Sequence, residues 1–202
     1  MPHLPSTEEL DHFVYSQTPG YVEREVRKAF HGAVPLKTVV VFCFDPRAAQ
    51  IPFRLPQLLG DEVYPGEVVH DGDSRKVGST ATIMPVVNAG GRAIDALRSI
   101  TIAHHLFGLE RVVVVHHTNC GTSSFTSQGL LDAFKEEQGM DIGTVYDFDS
   151  IAIDHLMDTL RHDVQIVRKS PAVPASVQVV GYVYDIDADE YITDIAVKPS
   201  GE

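Results

Sequence analysis

Two kinds of apolar pattern take turns along this chain, and the switches between them outline its elements. Val22, Val26, Ala29 and Phe30 recur at helical spacing and put an apolar stripe on one face, to be covered by a core or by a partner subunit. Upstream, Ser6-Thr7-Glu8-Glu9 has the form of a helix cap with an acidic first turn, and Thr18-Pro19-Gly20 divides the stretch Ser6 to His31 into two helices. Leu36 to Phe42 is continuously apolar instead, as expected of a strand buried on both faces in a parallel sheet. A helical or irregular piece from Ala48 meets Pro52 and Pro56 and closes at Leu58-Leu59-Gly60. Asp61 to Ser79, rich in Gly and Asp, reads as a surface excursion with a short strand at Glu67-Val68-Val69.

Thr82 to Val87 is the next strand, and Pro85 assigns it to a sheet edge or an interruption. The turn Asn88-Ala89-Gly90-Gly91 lets backbone approach a neighbour closely, and a helix through Ile94, Leu97, Ile100 and Ala103 ends near Gly108. The strand Arg111 to Val115 completes a βαβ unit, whose handedness makes its strands parallel. Thr122-Ser123-Ser124 is the expected cap of a helix through Gln128 to Glu137, followed by a loop at 139–143. Ile151, Ile153, Leu156, Leu160, Val164 and Val167 predict one helix over Asp149 to Val167, stopped by Pro171 and Pro174. Val177 to Asp185 and Tyr191 to Val197 read as strands joined by a turn at Asp187-Ala188-Asp189-Glu190. The predicted fold class is α/β, a mainly parallel central sheet with flanking helices.

Composition narrows the function classes. The 202 residues suffice for one domain with a substantial core, and 44% hydrophobic with 22% charged residues is an ordinary globular balance. A formal charge of -12 with no basic run argues against nucleic acid as a partner. No apolar run reaches membrane-spanning length, and Met1 to Ser6 lacks the character of an export signal, so no membrane partner and a cytoplasmic location are expected.

Both cysteines stand where β-branched runs stop: Cys43 after Val39-Val40-Val41-Phe42, and Cys120 three residues after His117, itself preceded by Val112 to His116. They can be buried filler, one disulfide, or ligands. Two thiolates and an imidazole are a common donor set for zinc with one open position, and parallel strands gather functional groups beyond their carboxyl ends. Asp45 and Arg47, two positions apart beside Cys43, form an acid–base pair that sits either on the surface or at this site. His116 should point to the opposite strand face from His117 and is read as structural, and His104 and His105 lie on a helix and are read as packing or surface groups. Tyr182 and Tyr184 are read as strand packing.

Cys43-x-Asp45-x-Arg47, His117-x-x-Cys120, Asn88-Ala89-Gly90-Gly91, Asp95-x-x-Arg98-Ser99 and the late stretch Val180 to Asp185, in this order, resemble the β-class carbonic anhydrase family over most of Leu36 to Asp185. The resemblance implies one zinc ion per chain held by Cys43, His117 and Cys120. Asp45 and Arg47 would be the catalytic dyad, with Asp45 orienting the zinc-bound hydroxide or serving as a conditional fourth ligand. Asn88, Ala89, Gly90 and Gly91 would border the substrate pocket. It further implies a single catalytic domain over 1–202, with a helical arm at 1–33 and an α/β core at 34–202. The assembly would be a homodimer or higher even homo-oligomer whose N-terminal helices pack on the partner. The implied reaction is zinc-hydroxide hydration of carbon dioxide to bicarbonate. Family members also hydrolyse carbonyl sulfide or carbon disulfide with the same zinc chemistry, so hydrolysis of carbonyl sulfide to hydrogen sulfide and carbon dioxide is the alternative, and a non-catalytic zinc protein a second one. The chain departs from the family at Val87, where many relatives carry Arg, in a longer excursion from Val68 to Thr82, and in having no Trp.

Overall fold

The computed structural model describes residues 10, 11 and 13–199. Five strands form the central sheet: β1 (Thr38–Cys43), β4 (Ile83–Asn88), β5 (Arg111–His117), β6 (Gln178–Asp185) and β7 (Glu190–Val197), in the order β4-β1-β5-β6-β7. The first four run parallel, and β7 pairs antiparallel with β6 through the expected turn. Pro85 does lie on an edge strand, where its missing N–H costs no interior ladder bond.

Alternation along the strands divides the core in two. Val39, Val41, Val112, Val114, Val179 and Val183 face α3 (Ala93–Phe107) and α6 (Leu156–Lys169). Val40, Phe42, Val113, Val115, Val180 and Tyr184 face the layer holding Ile51 and Leu55 of α2 (Ile51–Leu59). Burying one such side chain contributes about 1.5–3 kcal/mol, which explains why the interior strands read as unbroken Val runs. α3 crosses from β4 to β5 and stops at Gly108, whose φ of 71° suits glycine. Tyr182 and Tyr184 pack edge-on against Tyr191.

α1 (Glu23–Ala33) lies on α3 of its own chain: Phe30 meets Phe107 edge-on at 6.1 Å, and His105 Nε2 lies 2.8 Å from Glu23. The predicted cap at Ser6 to Glu9 falls outside the described residues. The excursion forms a two-stranded antiparallel hairpin, β2 (Val68–His70) and β3 (Lys76–Ser79), with Arg75 paired to Asp71 and Asp73 at its tip. It leads into the amino end of β4, remote from Asn88. Among the described residues no helix is long and apolar enough to cross a membrane.

Two expectations are corrected. α4 (Ser127–Gln138) is capped by Thr126, whose hydroxyl accepts from Gly129 N, and not by Thr122 to Ser124, which form a tight turn of their own. The single helix over Asp149 to Val167 is two: a short α5 (Phe148–Ile151) and α6, separated by an extended Ala152 and a break at Ile153 to His155. The break has a physical cause, since Ile153 packs against Cys43 and Cys120 while Leu160 and Val164 serve the sheet.

Candidate metal centre

β1 and β5 are neighbours in register, so Cys43 and His117 finish at one end of the sheet. Asn119, at φ 53°, turns the chain back and returns Cys120 beside Cys43, with the two sulfurs 3.7 Å apart. One ligand atom from each of Cys43, His117 and Cys120 lies within 4.8 Å of the others, and all three residues are buried. Both cysteines are free thiols.

The imidazole is oriented for ligation. His117 Nδ1 is 2.8 Å from Thr118 O and donates to it, which leaves buried Nε2 as an acceptor with no hydrogen-bond partner among the described residues. Leaving such a group unmet costs about 1–3 kcal/mol. A backbone carbonyl fixing the tautomer of a histidine beside two thiols is the usual arrangement around zinc. The donor set therefore fits the metal that the motif implies, with one of four positions left over.

The charge distribution agrees. Hydrogen bonding between the two sulfurs pushes the Cys43 thiol up and pulls Cys120 down; His117 and Thr122 also favour the Cys120 thiolate against its burial. Burial works against protonation of His117, but the Cys120 thiolate and the Thr118 carbonyl outweigh it and raise its pKa.

Asp45 follows Cys43 and caps the turn Pro46–Ala48. Its Oδ1 accepts from Arg47 N at 2.9 Å and Nε at 3.0 Å, and its Oδ2 accepts from Nη2 at 2.7 Å. Arg47 Nη2 also donates to Asn119 O at 2.9 Å, tying the β1 loop to the β5 loop. The bidentate guanidinium holds the Asp45 carboxyl down at about 2. In this arrangement Asp45 is engaged by Arg47, and the three-residue ligand group does not include it.

The turn predicted to border substrate lies behind Cys43. Asn88 O accepts from Phe44 N, and Asn88 Nδ2 donates to Arg92 O at 2.9 Å. Asp45 N donates to the Cys43 sulfur at 3.4 Å. Gly91 crosses the sheet so closely that a Cβ would sit 2.7 Å from Val115 O and 3.0 Å from Phe42 Cα. Ala89 is exposed, whereas Gly90 and Gly91 are buried.

Residues with no local motif complete the surroundings. Arg92, buried after the glycine turn, donates Nε to Asp163 Oδ2 at 2.8 Å and Nη1 to Ser150 O and Ala152 O, each at 2.8 Å; Nη2 reaches Asp149 O at 3.0 Å. Asp163 Oδ2 also lies 3.0 Å from His116 Nε2, so His116 faces away from the ligands as expected. This pins the segment carrying Ile153 over the two sulfurs. Thr122 Oγ1 lies 2.9 Å from Cys120 Sγ. Arg92 directly after Gly91 and Thr122 two positions after Cys120 were the only traces of these contacts in the sequence.

A carbonic anhydrase from Streptococcus mutans superposes with a TM-score of 0.59 at 22% identity, covering 91% of this chain and 92% of that one. The chain has the β-carbonic anhydrase fold. Two curated relatives extend the likeness of this β-carbonic anhydrase-like chain. A carbon disulfide hydrolase from Acidianus sp. (strain A1-3) is 30% identical in an alignment 121 residues long that covers 50% of this chain and 59% of that protein. Beta-carbonic anhydrase 1 of Mycobacterium bovis is 26% identical over 92 residues, 46% of this chain and 54% of that protein. The chain thus spans between 54% and 59% of the length of these relatives. No protein-family model matches it.

Proposed function

We propose that this chain is a zinc-dependent carbonic anhydrase of the β class, a single catalytic domain that converts carbon dioxide and water into bicarbonate and a proton. The observation that carries the proposal is the buried, unpartnered Nε2 of His117 in a group with two free thiols whose ligand atoms lie within 4.8 Å. Cys43, His117 and Cys120 are the residues that would hold the ion. A zinc ion bound there supplies Lewis acidity, which lowers the pKa of water to about 7 and makes hydroxide available at neutral pH.

The remaining roles belong to the protein. Asp45, ionised at any physiological pH, is an acceptor that orients the reacting water, and Arg47 holds it in place by three contacts. Loss of those contacts would free the carboxylate to become a fourth ligand. Ile153 excludes water from the sulfur side. The proton released goes to solvent.

A second reading is hydrolysis of carbonyl sulfide, in which one water gives carbon dioxide and hydrogen sulfide. It is supported by the 30% identity to a carbon disulfide hydrolase, a protein acting on a linear sulfur-bearing carbon compound. Zinc-loaded protein assayed side by side with carbon dioxide, carbonyl sulfide and carbon disulfide, following bicarbonate and sulfide, separates the readings. Faster turnover of carbon dioxide is expected. Sulfide release dominating would establish the second reading, and no turnover of any of the three would leave a non-catalytic zinc protein.

The assembly we propose is a homodimer or a higher even oligomer in the cytoplasm. Exposed Phe13, Tyr15 and Val22 on the N-terminal arm supply apolar surface for it, and free thiols suit a reducing compartment. Light scattering of the purified chain tests the stoichiometry, and a monomer at micromolar concentration would count against it.

A further inference from the structure

Of the two candidate ligand sulfurs, that of Cys43 accepts the backbone N–H of Asp45 at 3.4 Å. Among the described residues only Cys120 meets a hydroxyl, Thr122 Oγ1 at 2.9 Å. That sulfur is the hydroxyl's one hydrogen-bond partner among the described residues. Once Cys120 is a metal-bound thiolate it has no proton to give, so the threonine must be the donor.

The hydroxyl is confined as well as close. Thr122 sits in the turn Gly121–Ser123, which Ser123 N closes onto Cys120 O at 3.0 Å. Thr122 O accepts Ile153 N at 3.0 Å, which ties it to the segment pinned by Arg92. On its other side is Gly90, where a Cβ would come within 2.7 Å of Thr122 Oγ1. The glycine leaves the room that lets the hydroxyl lie against sulfur. Three separate elements therefore converge on one donor.

We infer that Thr122 is a positioning residue of the metal centre: its hydroxyl donates to the Cys120 thiolate, drawing charge from that sulfur and limiting how strongly it donates to the ion. This rests on the zinc reading above. A hydrogen bond to a ligating sulfur fixes the orientation of that ligand, which favours metal capture, and it leaves the ion more electron-poor. Because Cys43 has no such partner among the described residues, the two thiolates become inequivalent ligands.

The test uses the full chain with Thr122→Val, which keeps shape and loses the donor, and Thr122→Ser, which keeps the donor. Zinc affinity is read by competition with a chromogenic chelator, and the cobalt(II)-loaded protein gives a sulfur-to-metal charge-transfer band. Thr122→Val should bind zinc about 10-fold more weakly, and its cobalt band should move to lower energy; Thr122→Ser should match the wild type in both. Thr122→Ala provides a second donorless variant should valine pack badly. An unchanged band in the donorless variants, or an equal shift in Thr122→Ser, overturns the inference while leaving the zinc reading intact. A wild-type chain that shows no cobalt–thiolate band overturns both.

Discussion

Arg92 and Asp163, 71 positions apart, form an ion pair with side chains only 2% and 0% exposed. The pair joins the helix after the glycine turn to the helix that covers β5, and His116 shares the same carboxylate oxygen. Breaking one member of a buried pair leaves the other uncompensated. Asp163→Asn should therefore lower the unfolding free energy by about 3–5 kcal/mol, measured by urea denaturation. Replacing both residues with apolar ones should recover only part of this, because the three carbonyls that Arg92 serves would lose their donors.

The same pair sets a pH dependence. His116 and Arg92 hold the Asp163 carboxyl below its ordinary value although burial opposes this. A carboxyl depressed in the folded state contributes fully above its unfolded pKa of about 4 and loses that contribution as pH falls through the folded value. Stability should fall below about pH 4, and the fall should be shallower in Asp163→Asn. Equal slopes for the two proteins would show that Asp163 is not the group responsible.

Asp45→Asn should keep zinc and lose turnover by about 10²-fold or more, because the amide cannot accept in the same way and no longer pairs with Arg47. Metal content by elemental analysis and initial rates on one preparation test this. Full activity in that variant would remove Asp45 from the mechanism.

Gly91 and Gly72 make a matched comparison. Alanine at Gly91 would drive Cβ to 2.7 Å from Val115 O and 3.1 Å from Cys43 N, at a φ of +69°. Gly72 has nothing within 4 Å. Gly91→Ala should cost more than about 3 kcal/mol and weaken zinc binding by displacing Cys43. Gly72→Ala should stay within about 0.5 kcal/mol. Thermal melts of the two variants decide it.

What could be read from sequence was what local pattern dictates. Val runs announced buried strands, Pro85 an edge, and the residues after each run the candidate ligands. What escaped it depends on distant partners. Ile151 and Ile153 satisfy helical spacing, yet Ile153 is claimed by Cys43 and Cys120, which breaks the helix. Thr122 looked like a cap because its type is favoured there, but its hydroxyl is taken by sulfur and Thr126 caps instead. The Gly- and Asp-rich excursion paired into a hairpin through Val68 and Val69 with Gly78 and Ser79, a register that alternation did not announce. Arg92 and Asp163 carry no mutual signal at all across their separation.

Cys43 and Cys120 are 77 positions apart, with sulfurs 3.7 Å from each other. An ion gripped by both would act as a clip across a long loop, and opening the sheet between β1 and β5 would then require release of the ion or a constrained unfolded chain. Cross-linking a loop of that size is worth about 4 kcal/mol in the chain-entropy view. Chelation should accordingly lower the melting temperature, and the melting temperature should climb with free zinc. During synthesis Cys43 must wait for the whole βαβ crossover before its partner emerges, so capture of the ion would mark the completion of the sheet's centre.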